Sequence, residues 1–258
     1  MAEVSFPTPA GTGRGYFAVP PGDGPWPGVV VIMDAFGMSR DLRQQCERLA
    51  SSGFLALAPD LYAWGAKVIC VGATLASLRR GGGRPVLEIG AARDWVAARS
   101  DCSGDVGVIG FCMGGGFALL VAPGGGFSVA SVNYGQLPRN AERRLQGSCP
   151  VVASYGGRDR TLRGQSGRLR GILQGLGIEH DIREYDRVGH GFMNRHDGRL
   201  GKVLGAVGMR YDEAAAEDSW RRILSFFDNH LRKEGAGAPP ARNLARDWPQ
   251  LGEHVPSE

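Results

Sequence analysis

Apolar positions along the chain follow two alternating periodicities. Val129–Tyr134 reads as a strand, and short continuous runs rich in β-branched residues occur at Val29–Met33 and Val106–Ile109. Such runs are expected of strands buried on both faces of a sheet. Phe54–Ala58, Val151–Tyr155 and Asp181–Tyr185 read as further strands. Between them the spacing turns helical. Met38–Ser52 gathers Leu42, Cys46, Leu49 and Ala50 on one side, with Gly53 as a C-terminal stop. Arg84–Ala98 carries Val86, Ile89, Trp95 and Val96, and Glu213–Leu231 carries a stripe of Trp220, Ile223, Leu224 and Phe227. This alternation predicts an α/β fold, a mostly parallel central sheet with helices on both faces. Residues 1–232 are expected to form one domain. Residues 233–258, rich in Gly, Pro, Ala and Arg, are expected to be a mobile or draped tail.

Composition narrows the function classes. Lys and Arg total 30 against 26 Asp and Glu, and the arginines are scattered or in short pairs such as Arg79-Arg80, so no basic stripe points to nucleic acid. No apolar run reaches the length of a membrane span, and Met1–Pro7 has no basic-then-apolar signal pattern. Five cysteines lie far apart, at 46, 70, 102, 112 and 149, without CxxC or metal-ligand spacing. Neither a disulfide framework nor a metal site is expected, and a reducing cytoplasm is the expected compartment. Nothing in the pattern sets the oligomeric state, and a monomer or a dimer suits it equally.

One turn carries chemistry. Gly110-Phe111-Cys112-Met113-Gly114 has the form Gly-x-nucleophile-x-Gly, directly after a strand and before the helix-like Phe117–Val121. A nucleophile on such a strand-to-helix turn sits in strained backbone, and flanking glycines make room for it. The N-terminus of the following helix favours a thiolate and an oxyanion alike, which makes Met113 N–H an oxyanion donor. A dinucleotide fingerprint would need Gly where Cys112 stands, and a phosphate-binding loop would need Lys-Ser/Thr where Gly116-Phe117 stand. An isolated cysteine is more often a buried structural residue. Here its context favours the nucleophile.

A thiol nucleophile needs a base, and the base an orienting acceptor. Of the five histidines, His180 falls at a strand start, His230 at the end of the last helix and His254 in the tail. His190 follows a strand in the glycine-flanked loop Val188–Phe192, with His196 as the weaker candidate. Asp159, after the Val151–Tyr155 strand, is the candidate acid, although a helix-capping aspartate would look the same. The order Cys112, Asp159, His190, each after a strand, suits an α/β-hydrolase triad.

At these residues the chain resembles the dienelactone hydrolase family of the α/β-hydrolase superfamily, from about Val29 to Leu231. The likeness rests on Gly-Phe-Cys-Met-Gly-Gly at 110–115, Gly-Gly-Arg-Asp at 156–159 and Gly-His-Gly-Phe at 189–192, with weaker matches at 33–37 and 59–62. It implies a Cys112–His190–Asp159 triad, no cofactor, and hydrolysis of a small ester or enol-lactone through a thioester. It also implies that Ala35 N–H is the second oxyanion donor. Three positions depart from the family's pattern. Asp34 stands where the family carries a glutamate that helps control thiol ionisation. Gly191 replaces a serine, and Asn194 occupies the place of an arginine that binds the substrate carboxylate, with Arg195 adjacent as a substitute. Phe36, Tyr62, Trp64 and Phe192 are candidates for the pocket wall or for ordinary packing. Two other readings stay open: a redox-reactive or non-catalytic relative, and a Cys-dependent thioesterase or acyltransferase.

Overall fold

The computed structural model describes residues 1–65, 67–196, 201, 204–205 and 208–232. The expected tail at 233–258 therefore lies outside the described residues. Eight strands form one sheet in the order β1-β2-β4-β3-β5-β6-β7-β8. The strands are β1 (Ala2–Thr8), β2 (Gly11–Ala18), β3 (Trp26–Ile32), β4 (Leu55–Pro59), β5 (Cys102–Phe111), β6 (Val129–Asn133), β7 (Val151–Gly156) and β8 (His180–Tyr185). From β4 to β8 every pairing is parallel, whereas β1 and β2 pair antiparallel with each other and β2 with β4. This is the α/β-hydrolase architecture.

The central strands are buried because their side chains leave no polar face. Val29 to Met33 are all fully buried, and burying a Val or Ile side chain contributes about 1.5–3 kcal/mol. Helices α1 (Arg40–Ser51) and α7 (Glu213–Leu231) share one face of the sheet. There Arg48 makes a bidentate pair with Glu217 at 2.6 and 2.7 Å and lies over the Trp220 ring. Helices α2 (Lys67–Arg80), α3 (Arg84–Ala97) and α4 (Met113–Val121) pack on one another along the opposite face. Two smaller helices, α5 (Ala141–Arg144) and α6 (Gln165–Gly175), join the later strands.

The N-terminal hairpin was not among the elements expected from periodicity. Two of its glycines serve close packing. A Cβ on Gly13 would meet the Phe6 ring and Thr8, and one on Gly15 would meet the Ala58 carbonyl. Phe6 and Phe17 then dock on Trp95 of α3, with Arg99 over both Phe17 and Trp95. Parallel order has one functional consequence: the residues that follow β3, β5, β6, β7 and β8 all emerge at one edge of the sheet, where ligand sites of open α/β sheets form.

Candidate active site

Cys112 sits between β5 and α4 with φ 55° and ψ −116°, one of three non-glycine residues with positive φ among the described residues. The flanking glycines are sterically required. A Cβ on Gly110 would strike the Gly114 carbonyl, and one on Gly114 would strike the Ile32 carbonyl in β3. Gly115 is equally confined, against Asn133 O and the backbone of Gly135. Cys112 N–H donates to Asn133 O at 3.0 Å, which pins the turn to the end of β6. The helix starts at Met113, earlier than the apolar run from Phe117 suggested. Its first N–H groups have no partner within the helix, and the half-buried Cys112 stands at that end as the N-cap residue.

Asp159 and His190 lie on neighbouring loops joined by close backbone packing. Gly156, the last residue of β7, has no room for a Cβ against Val188 O and Gly189 O. Gly157 and Arg158 N–H groups donate to Tyr185 O and Val188 O. His190 Nδ1 then lies 2.6 Å from Asp159 Oδ2. Asp159 Oδ1 accepts Thr161 N–H at 2.9 Å and the Thr161 hydroxyl at 2.6 Å, capping a short 3₁₀ turn at Arg160–Leu162. Burial opposes ionisation of Asp159, but hydrogen bonds from His190 and Thr161 override it and hold the carboxyl below its ordinary range. Burial likewise opposes the charged form of His190. Hydrogen bonds to Asp159 and Cys112 outweigh that penalty and raise the imidazole to about 10. Gly191 has φ +72°, so the residue after the histidine sits where a serine would be strained.

The loop after β3 approaches the same place. Asp34 Oδ1 accepts Phe36 N–H at 2.8 Å, an Asx turn that fixes the Ala35 peptide, and Ala35 O accepts the Tyr62 hydroxyl at 3.3 Å. Tyr62 also reaches Met113 Sδ at 3.8 Å, so one phenol touches both the Ala35 carbonyl and the Met113 thioether. Asp34 is buried, and desolvation raises its carboxyl to about 6 despite the Phe36 N–H and the nearby His196. His196 Nε2 stands 3.7 Å from Asp34 Oδ2 with its ring against Phe36.

A sequence profile of the dienelactone hydrolase family matches residues 14–231. The chain belongs to the dienelactone hydrolase family. It is 30% identical over 251 residues to an Escherichia coli K12 protein named "Putative carboxymethylenebutenolidase", covering 90% of this chain and 88% of that one. Its likeness to the carboxymethylenebutenolidase of Rhodococcus opacus is 28% over 216 residues, covering 79% and 81% of the two chains. A crystal structure from Klebsiella pneumoniae, titled "Putative Dienelactone Hydrolase", superimposes with a TM-score of 0.72 at 27% identity, over 88% of this chain and 97% of the other. This family member is an ester or lactone hydrolase. None of its described helices is long and apolar enough to cross a membrane.

Several candidate pocket residues lie elsewhere than expected. Phe192 is fully buried, packed on Tyr134 and Tyr185, so it is a core residue and not a pocket wall. Asn194 is also buried, its side chain bound to Tyr134 and Asp41. Arg195 lies over the Tyr211 ring at 4.2 Å and 4.0 Å from Glu213. It lines a cleft of about 370 Å³ with Gln44, Arg48 and Glu217. That placement turns its guanidinium toward the α1–α7 side, where it does not replace the missing arginine. Trp64 donates its indole N–H to Leu61 O and is covered by Arg84. His180 is engaged with Ile178 O, and His230 faces Glu179. His254 lies outside the described residues. Sequence reasoning missed Tyr134 and Asp41. A tyrosine closing a buried apolar strand, next to Gly135, was the available signal.

Proposed function

We propose that the chain hydrolyses small neutral esters or lactones through a thioester on Cys112. The observation that carries this reading is His190, whose Nδ1 is 2.6 Å from Asp159 Oδ2 and whose imidazole is held above its ordinary range by Asp159 and Cys112 against the cost of burial. An imidazolium beside a thiol is the arrangement that activates a cysteine as a nucleophile. The thiolate adds to the substrate carbonyl carbon, and the N–H groups of Met113 and Ala35 donate to the developing oxyanion. Collapse of the adduct expels the alkoxide, which takes the proton from His190. Neutral His190 then draws a proton from water, and the hydroxide attacks the thioester. The second collapse releases the carboxylic acid and restores the ion pair. Asp159 keeps the imidazole tautomer and orientation fixed throughout.

Neutral substrates are favoured by the fate of two positions. Asn194 carries no charge and is spent on Tyr134 and Asp41, and Arg195 is stacked on Tyr211. Replacing Cys112 with Ala and assaying p-nitrophenyl acetate and simple lactones tests the chemistry. A loss of about 10⁴-fold or more in kcat is expected, and undiminished hydrolysis would overturn it. In the parent protein, a carboxylate-bearing lactone should have a lower kcat/KM than its neutral methyl ester. The reverse order would overturn the substrate class alone.

A further inference from the structure

Beside the nucleophile turn lies a second strained position that the mechanism above does not use. Tyr134 follows β6 with φ 41°, fully buried. It neighbours Cys112 because Phe111 and Asn133 are register partners in β5 and β6. Tyr134 N–H donates to Ser154 O at 2.7 Å, so the turn is tied to β7 as well. Its ring meets the His190 ring in a T-shaped contact with centroids 5.2 Å apart, and Phe192 packs on it at 5.5 Å.

The phenol is the first member of a buried, one-directional hydrogen-bond chain. Tyr134 O–H donates to Asn194 Oδ1, and Asn194 Nδ2 donates to Asp41 Oδ2 at 2.8 Å. Asp41, near the start of α1, also accepts Arg195 N–H at 2.8 Å on Oδ1 and Gln45 Nε2 at 3.2 Å on Oδ2. Gln45 reaches Met193 O at 3.3 Å with the same amide. Asp41, Gln45 and Asn194 are each no more than 7% exposed. The directions are fixed by chemistry. A carboxylate only accepts, so the Asn194 amide must turn its NH₂ toward Asp41 and its oxygen toward Tyr134. The tyrosine must then remain a donor, and its burial, reinforced by the Asp41 and Asp34 charges, pushes the phenol well above its ordinary range.

We propose that Tyr134 is a positioning residue for His190, held in place by the Asp41–Asn194 anchor on the same loop. This inference rests on the reading of His190 as the base. His190 sits on an irregular loop, with Gly191 at positive φ directly after it. Asp159 fixes one ring nitrogen, and once Cys112 is acylated that bond alone leaves the imidazole free to pivot about it. The Tyr134 ring blocks that pivot, and Asn194, four residues on, fixes the loop to α1. Misplacement of a reacting group by about 1 Å can cost about 10²-fold in rate, which is the scale of effect expected.

Three variants test this, with kcat and KM on p-nitrophenyl acetate, thermal unfolding, and the downfield NMR resonance of the His190 Nδ1 proton. Tyr134→Leu removes the ring and is expected to lower kcat about 10²-fold, with KM changed less than about twofold. Tyr134→Phe keeps the ring and frees the anchor, and about a fivefold loss in kcat is expected. Asn194→Leu should match Tyr134→Phe, and the double variant should lose no more than either alone. The Nδ1 proton should shift or broaden in all of them. If Tyr134→Leu is too unstable, Tyr134→Phe and Asn194→Leu still decide. Unchanged kcat and an unchanged resonance in the folded variants would overturn the inference. His190→Gln separates it from the reading beneath: an active His190→Gln enzyme defeats the triad, whereas an inactive one beside a fully active Tyr134→Leu enzyme defeats only the role of Tyr134.

Discussion

Asp159 divides its carboxylate between two partners, Oδ1 capping the turn through Thr161 and Oδ2 holding His190 at 2.6 Å. In the sequence a capping aspartate and a base-orienting one compete as explanations. In the structure one carboxylate both caps the turn and hydrogen-bonds His190.

Asp159→Asn separates the two tasks. Asparagine caps as well as aspartate, so thermal stability measured at neutral pH should fall only by the loss of the His190 pair. The amide cannot orient and charge-stabilise the imidazole as the carboxylate does. A loss of about 10²–10⁴-fold in kcat is expected, and a variant within tenfold of the parent would argue against the assigned role.

The protonation of His190 sets a pH window. Its folded value of about 10 lies above the ordinary 6.5, so the imidazolium contributes stability fully below 6.5 and loses it as pH rises through about 10. The alkoxide-leaving step needs the same proton. The pH profile of kcat/KM should therefore hold across neutrality and fall near pH 10, and Asp159→Asn should bring that fall to lower pH. A parent profile already falling at pH 7 would contradict the ion pair.

Asp34 predicts a loss of the same sign in a lower pH window. Its folded value of about 6 exceeds the ordinary 3.8, so the folded state holds this proton more tightly than the unfolded one. Stability from the protonated carboxyl is present below about pH 4 and is lost as pH rises to about 6. Asp34→Asn retains an acceptor for Phe36 N–H without the buried charge. Denaturant unfolding should find it on the order of 1–3 kcal/mol more stable than the parent at pH 8 and no different at pH 4. Equal stability at both pH values would show that burial of Asp34 carries no such cost.

Glycines at the nucleophile turn and on α6 should respond in opposite senses. Gly110→Ala drives a Cβ into the Gly114 carbonyl, a backbone contact that cannot yield. Destabilisation beyond about 4 kcal/mol, seen as insoluble or unfolded protein, is expected. Gly171 in α6 has open space about its Cβ position and an ordinary helical backbone. Gly171→Ala should stabilise by about 0.5–1 kcal/mol in thermal or denaturant unfolding.

The sheet and the edge where Cys112, Asp159 and His190 gather were legible because β-branched runs and glycine-bounded turns are local signals. The hairpin at residues 2–18 was not, since Gly13 and Gly15 answer to ring and backbone neighbours distant in sequence. Helix α2 was not among the expected elements, because apolar and polar residues alternate around it without a stripe. The buried chain from Asp41 through Asn194 to Tyr134 spans 153 residues between its first two members, and no periodicity encodes it. Asn194 accordingly read as a lost arginine until its partners were seen.

The thioester at Cys112 is the central claim, and His190→Ala should trap it. With p-nitrophenyl acetate, peptide mass spectrometry of this variant is expected to find one acetyl group on Cys112, and none in the Cys112→Ala protein. Acetylation elsewhere, or steady turnover by Cys112→Ala with no modified cysteine, would contradict the account.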